Sequence, residues 1–146
     1  MAQGTLTVFD AAKEGISGHL DLSNNTDYSL ILLSALPVVD DATPDSGTYT
    51  AVSNGGGYSG PTALATTWDE VTGTVTFDSS VNPTWTAAAG SPTNIRAALV
   101  YSETATSPDG LAFIDLTNNG DGTTPISLVD GNITITFAGQ GLFTLA

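Results

Sequence analysis

The chain of 146 residues contains no cysteine, a single histidine (His19) and only two basic side chains, Lys13 and Arg96, set against 15 acidic ones. Each scarcity removes a class of chemistry. Without cysteine there is no disulfide framework and no thiolate for metal or redox work. Two cations offer little with which to neutralise phosphates, so DNA and RNA are not expected as partners, and an anionic membrane surface is disfavoured for the same reason. Long apolar runs are also missing. The longest stretch, Leu30 to Leu33 continued by Ala35, Leu36 and Pro37-Val38-Val39, falls short of the ~20 residues a membrane helix needs. The opening Met1-Ala2-Gln3-Gly4 has neither the basic region nor the apolar core of a secretory signal. A formal net charge of -13 remains, which favours solubility and mutual repulsion.

What is present points to β-structure. A hydrophobic content of 40% is too high for a disordered acidic tail, and 16 glycines and seven prolines punctuate the chain as turns do. Alternation of period two marks strands with one buried face: Leu6 and Val8 against Thr5 and Thr7, Val75 and Phe77 against Thr74 and Thr76, and Ile133, Ile135 and Phe137 against Asn132, Thr134 and Thr136. Tyr28 to Ala35, Ile95 to Tyr101 and Leu111 to Leu116 are instead apolar on both faces. Such strands lie centrally in a sandwich or receive a second cover from another subunit. Turn signals such as Pro44-Asp45-Ser46-Gly47, Asn54-Gly55-Gly56-Gly57 and Pro108-Asp109-Gly110 separate the runs.

These features predict an all-β fold: one domain over 1–146, an antiparallel β-sandwich of jelly-roll or Ig-like type, with at most one short N-terminal helix. That helix spans Asp10 to Gly15, with Asp10 as its cap and Gly15 as its stop. Residues 1–24 read as an N-terminal arm. Residues 37–60 read as a long excursion that covers a sheet edge or reaches a neighbour.

Catalytic constellations are thin. A nucleophilic triad would depend on His19, and no Gly-x-Ser-x-Gly motif accompanies it. Asp40-Asp41 and Asp69-Glu70 are adjacent, but adjacent side chains on a strand point to opposite faces, so neither makes the facing pair that glycoside hydrolysis requires. The chain is therefore read as a non-enzyme without cofactor. Asp115 to Asp121 sets oxygen side chains and a glycine at calcium-loop spacing, but Ile126 stands where the bidentate glutamate belongs, and a plain Asn-Gly and Asp-Gly turn explains the same residues. Arg96, inside an apolar run, needs carboxylate or carbonyl partners; an internal salt bridge is expected, with a subunit contact as the alternative. Trp68, Trp85, Tyr58 and Tyr101 fill the core or an interface, or else form a carbohydrate platform. Lys13, Arg96, Tyr58, Trp85 and Tyr101 are thus the structural and interface candidates.

The order of motifs resembles a group of small structural proteins of tailed bacteriophages. Gly57-Tyr58-Ser59-Gly60 before Pro61-Thr62-Ala63-Leu64 is similar to the group's glycine-tyrosine-glycine turn. Asn82-Pro83-Thr84-Trp85-Thr86 resembles its polar step into a tryptophan, and Ile95-Arg96-Ala97-Ala98-Leu99-Val100-Tyr101 its arginine-bearing strand. Leu111 to Asp115, Ile133 to Phe137 and Gly141 to Leu145 look like its closing strands, and Phe9 to Lys13 and His19 to Leu22 like its start. Pro37 to Asn54 departs from the pattern. The resemblance implies a virion protein on the outer surface of the capsid, a decoration or cement protein that binds the major capsid protein and self-associates as a homotrimer or homodimer. A tail-tube, tail-fibre or head-fibre component is the alternative within the virion, and a carbohydrate-binding module the alternative outside it.

Overall fold

The computed structural model describes residues 3–16, 20–137 and 141–145. His19 lies outside the described residues. The protein is all-β, antiparallel and sandwich-like. Its main sheet contains β1 (Leu6–Val8), β2 (Tyr28–Leu33), β3 (Thr62–Ala63), β7 (Ala97–Ser102) and β8 (Gly110–Asp115) in the order β1-β8-β7-β2-β3. A smaller sheet has the order β10-β5-β4, from β4 (Thr66–Val71), β5 (Thr74–Ser79) and β10 (Phe143–Leu145). A two-stranded ribbon joins β6 (Thr84–Trp85) to β9 (Ile133–Thr134). Among the described residues no helix is long and apolar enough to cross a membrane.

The three runs that are apolar on both faces become β2, β7 and β8, the inner strands of the main sheet. Residues directly opposite in an antiparallel pair share a face, so the register Leu30↔Val100↔Ala112 puts Tyr28 and Leu30 on one side, and Ile31↔Leu99↔Phe113 lie on the other. Both sides are covered from within the chain. Tyr28 meets the Phe77 ring of β5 edge-on, with centroids 5.2 Å apart. On the opposite face Phe113 packs against Phe9, centroids again 5.2 Å apart, and Tyr49 stacks beyond Phe9 at 6.2 Å. Of the two readings of these strands, a central place in a sandwich or a cover from another subunit, the first describes this chain, which covers both faces itself.

The N-terminal segment is not an arm. Leu6, Thr7 and Val8 pair with Ile114, Phe113 and Ala112, and Phe9, Leu20 and Leu22 are buried. Its apolar side chains gain more from the core than an extended segment would gain in water. The expected helix forms as α1 (Asp10–Gly15), but Phe9 holds the N-cap position with no side-chain cap, and Asp10 is the first helical residue. The carboxylate of Asp10 goes instead to Lys13.

The side of β2 away from β7 is covered by β3, by Leu64 just after it, and by the stretch 37–60, which contains no named strand. Leu64 N–H donates to Tyr28 C=O, Val52 N–H to Leu32 C=O, and Ser34 N–H to Thr50 C=O, at 2.8, 3.0 and 3.0 Å. The Leu32 N–H is satisfied by the Tyr58 hydroxyl at 3.2 Å. The excursion is fastened at two further points. Pro44 C=O accepts Gly110 N–H at 2.9 Å, and both Asp109 carboxylate oxygens accept from Ser46, its N–H and its hydroxyl, at 2.6 Å each. The glycine turn docks on the segment before β7: Ser91 Oγ accepts Gly57 N–H at 2.8 Å, and a Cβ on Gly57 would lie 1.7 Å from the Thr86 carbonyl oxygen.

The alternation from Asn132 to Phe137 yields a shorter ladder than expected. Only Ile133 and Thr134 pair, with Trp85 and Thr84. Beyond them Ile135 N–H donates to Pro83 C=O and Phe137 N–H to the Asn82 side chain, because Pro83 has no N–H to return and the regular ladder cannot continue.

Candidate functional site

Both cations are engaged within the chain. Lys13 Nζ lies 2.7 Å from Asp10 Oδ1 with both side chains well exposed, at 58% and 59%, a surface pair that contributes little to stability. Arg96 forms no salt bridge among the described residues, contrary to the expected ion pair. Its Nε donates to Thr123 C=O at 2.9 Å and its Nη1 to Ser34 C=O at 2.8 Å. Arg96 stands just before β7, where its backbone bonds both neighbouring strands, N–H to Leu33 C=O and C=O from Leu116 N–H. Loop carbonyls flank it there, and two of the five N–H donors of the guanidinium bond to them. Arg96 thus ties the start of the excursion to the loop after β8.

The aromatic candidates face inward. Tyr58, Trp85 and Tyr101 are only 2%, 5% and 9% exposed. Tyr58 and Trp85 pack with centroids 6.1 Å apart, and the half-buried Trp68 leans on Phe77 at 6.4 Å. A sugar-stacking platform needs an exposed ring face, and these three rings do not offer one. Burial pushes the phenol pKa of Tyr58 up, and that of Tyr101 up further, where the hydroxyl also donates a hydrogen bond to the Glu103 carboxylate at 3.0 Å.

In the 115–121 stretch each carboxylate is bonded within its own turn through one oxygen, and the buried Asp115 Oδ2 has no hydrogen-bond partner among the described residues. Asp115 is fully buried; its Oδ1 accepts the Thr117 N–H at 2.8 Å and the Thr117 hydroxyl. Asp121 is exposed and accepts the N–H groups of Thr123 and Thr124 at 2.8 and 2.7 Å. Hydrogen bonds from the Thr124 side chain and backbone, with that of Thr123, hold its pKa down at about 2. No cluster of three His, Asp or Glu suited to a metal occurs among the described residues. A second buried carboxylate, Asp27, accepts the Ser102 hydroxyl and the Thr104 N–H, which joins the start of β2 to the end of β7.

A concavity lies elsewhere, between the residues that lead into β1 and the 132–136 segment. It is a groove of about 420 Å³, lined by Gln3, Gly4, Ile114, Ile133 and Ile135 among others. It continues into a second hollow of about 180 Å³ through the shared Gly4, Ile114, Ile135 and Thr136, reaching Leu6 and Leu142. At the far end of β1 a third hollow is lined by Asp10, Glu14, Asp40 and Asp41. Asp41 accepts the Tyr49 hydroxyl at 2.6 Å and the Thr43 N–H at 3.0 Å, which lowers its pKa. None of the groove residues stood out as a site in the sequence. The uncharged alternation of Leu6 and Val8 was the signal, legible as a strand but silent about which of its edges would be paired.

Against models of known protein families, curated proteins and solved structures, the chain matches none.

Proposed function

We propose that the chain is a structural virion protein of a tailed bacteriophage, a decoration or cement protein that binds the outer surface of the mature head and stabilises the shell. The observation that supports this reading is electrostatic. Of 15 acidic and two basic side chains, the two cations are both turned to the chain's own acceptors, Asp10 for Lys13 and the Ser34 and Thr123 carbonyls for Arg96. The surface offered to partners is thus anionic, unsuited to the DNA side of a shell and suited to its exterior. The ordered resemblance to phage structural proteins points the same way.

The mechanism is thermodynamic linkage. A protein that binds only the expanded lattice stabilises it by an amount set by affinity and free concentration, and repetition over many sites multiplies modest single contacts. Self-association as a homodimer or homotrimer belongs to the same proposal. It no longer draws support from the apolar strands, since the chain covers both faces of its own main sheet.

Co-sedimentation with heads assembled without this chain tests the reading. The purified protein is expected to bind expanded heads and to leave procapsids bare; equal binding to both, or to neither, overturns it.

A further inference from the structure

β1 is an edge strand, and among the described residues no strand pairs with its outer side. Thr5 C=O, Thr7 and Phe9 N–H face β8, through Asp115 N–H, the Phe113 pair and Leu111 C=O. Alternation turns the N–H and C=O groups of Leu6 and Val8 the other way, and no described residue bonds them. The next outward group, Asp10 N–H, is taken by Val39 C=O at 3.0 Å, so the open edge ends where Val39, Asp40 and Asp41 cross it. Edge strands are ordinarily guarded by charge, proline or a bulge. The outer strand of the smaller sheet, β4, has exposed Asp69 and Glu70. β1 has only Leu, Thr and Val.

The edge opens onto a groove of mixed lining, in which isoleucines and leucines alternate with Gln3, Asn132, Thr134 and Thr136. Leu6 and Ile114 share a face of the main sheet, and Ile135 and Leu142 stand across from them. A strand laid along β1 would therefore gain backbone hydrogen bonds from Leu6 and Val8 and slots for alternate side chains in the groove, the two ingredients of recognition by strand addition. Its end nearest α1 would meet Asp10, Asp40 and Asp41, with Glu14 beside them and one ammonium, Lys13, among them. A second copy, itself at -13, is repelled there, whereas a cationic segment is attracted.

We propose that the open edge of β1 and the groove beside it bind an extended segment of a partner protein, which joins the main sheet as a further strand, buries alternate apolar side chains against Leu6, Ile114 and Ile135, and sets a Lys or Arg against the carboxylates of Asp10, Asp40 and Asp41. The assignment stands apart from the capsid reading, because it concerns the chemistry of the segment and its test uses no virion component.

The test uses the full chain and synthetic peptides of alternating Thr and Val, extended at either end by two lysines or by two glutamates. Lysine-extended peptides are expected to bind at least about tenfold more tightly than glutamate-extended ones. Val8→Pro removes an outward N–H that the fold does not use and is expected to lower binding about tenfold or more, with an unchanged circular dichroism spectrum. The double variant Asp40→Asn, Asp41→Asn should narrow the preference for lysine. Should Val8→Pro fail to fold, hydrogen exchange on the unaltered chain decides: bound peptide must slow the Leu6 and Val8 amides. The proposal is overturned if no peptide binds, if lysine and glutamate versions bind alike, if folded Val8→Pro binds undiminished, or if those amides exchange at the same rate with peptide present. A dimer in sedimentation that Val8→Pro abolishes also overturns it, in favour of a second copy.

Discussion

The two edges of the main sheet are treated in opposite ways. At one end, where the two-residue β3 pairs only with Ser29 and Leu30 of β2, the 37–60 stretch covers the rest: Tyr58 and Val52 occupy the N–H and C=O of Leu32, Thr50 takes the N–H of Ser34 just beyond the strand, and Pro44, Ser46 and Gly57 anchor the covering segment elsewhere. At the β1 side the sheet stops at Leu6 and Val8 with their outward groups unpaired among the described residues. A closed edge beside an open one in the same sheet teaches that closure was within reach of this sequence. The open edge is a local property of β1, not a shortage of chain with which to cover it.

The difference can be broken most severely at Gly57. Because an added Cβ would sit 1.7 Å from the Thr86 carbonyl oxygen, backbone rather than a flexible side chain, Gly57→Ala must displace the turn. The expected loss is about 3 kcal/mol in urea denaturation, as for overpacked cores. The amide of Leu32 should exchange faster, because its Tyr58 acceptor moves with the turn. Unchanged stability would show that the turn docks without close contact.

Tyr58→Phe is a finer cut. It keeps the buried ring and removes the one acceptor of the Leu32 N–H, so a loss of about 1–3 kcal/mol is expected, the cost of leaving a buried donor unpaired. A double variant with Gly57→Ala should lose less than the sum of the two, since both act on the same closure.

Alkaline pH loosens the same edge reversibly. All four tyrosines of the chain have raised pKa values, chiefly from burial, and two of them, Tyr49 and Tyr58, belong to the excursion. In the unfolded chain they ionise near pH ~10, and in the folded chain only above it. The unfolded state therefore releases protons first. Stability is full below about pH 10 and falls as pH rises past it. Ultraviolet titration of tyrosinate, run beside a thermal melt, should show little ionisation until the fold begins to open. Early ionisation of the native chain would contradict the burial of these rings.

Much of the main sheet was legible because its inner strands are apolar on both faces, a pattern few loops imitate. Leu111 to Leu116 and Ile95 to Tyr101 gave β8 and β7 within two residues at each end. What covers those faces was not legible, since a strand's own residues do not say whether Phe9, Tyr49 or another subunit lies above them. The same limit explains residues 1–24. The alternation at Leu6 and Val8 identified a strand, but pairing with Ile114 and Ala112 is a contact across more than a hundred residues, and local pattern does not encode it. β4 escaped notice because Thr66 to Val71 buries only its first residue fully and shows no apolar alternation. Arg96 was found as a cation in need of partners. With 15 acids in the chain a carboxylate was the natural expectation, and the loop carbonyls of Ser34 and Thr123 came from tertiary placement.

The engagement of Lys13 and Arg96 has a practical corollary for handling the protein. A protease that cuts after basic residues has two addresses in the entire chain, and one of them, Arg96, is half-buried with its main chain bonded to strands on either side. Lys13, exposed on α1 one turn beyond the end of β1, is the sole lysine. A lysine-directed fluorophore thus attaches to one side chain, paired with Asp10 at the rim of the acidic hollow where the open edge ends, and makes the unmodified sequence its own reporter of whatever settles there.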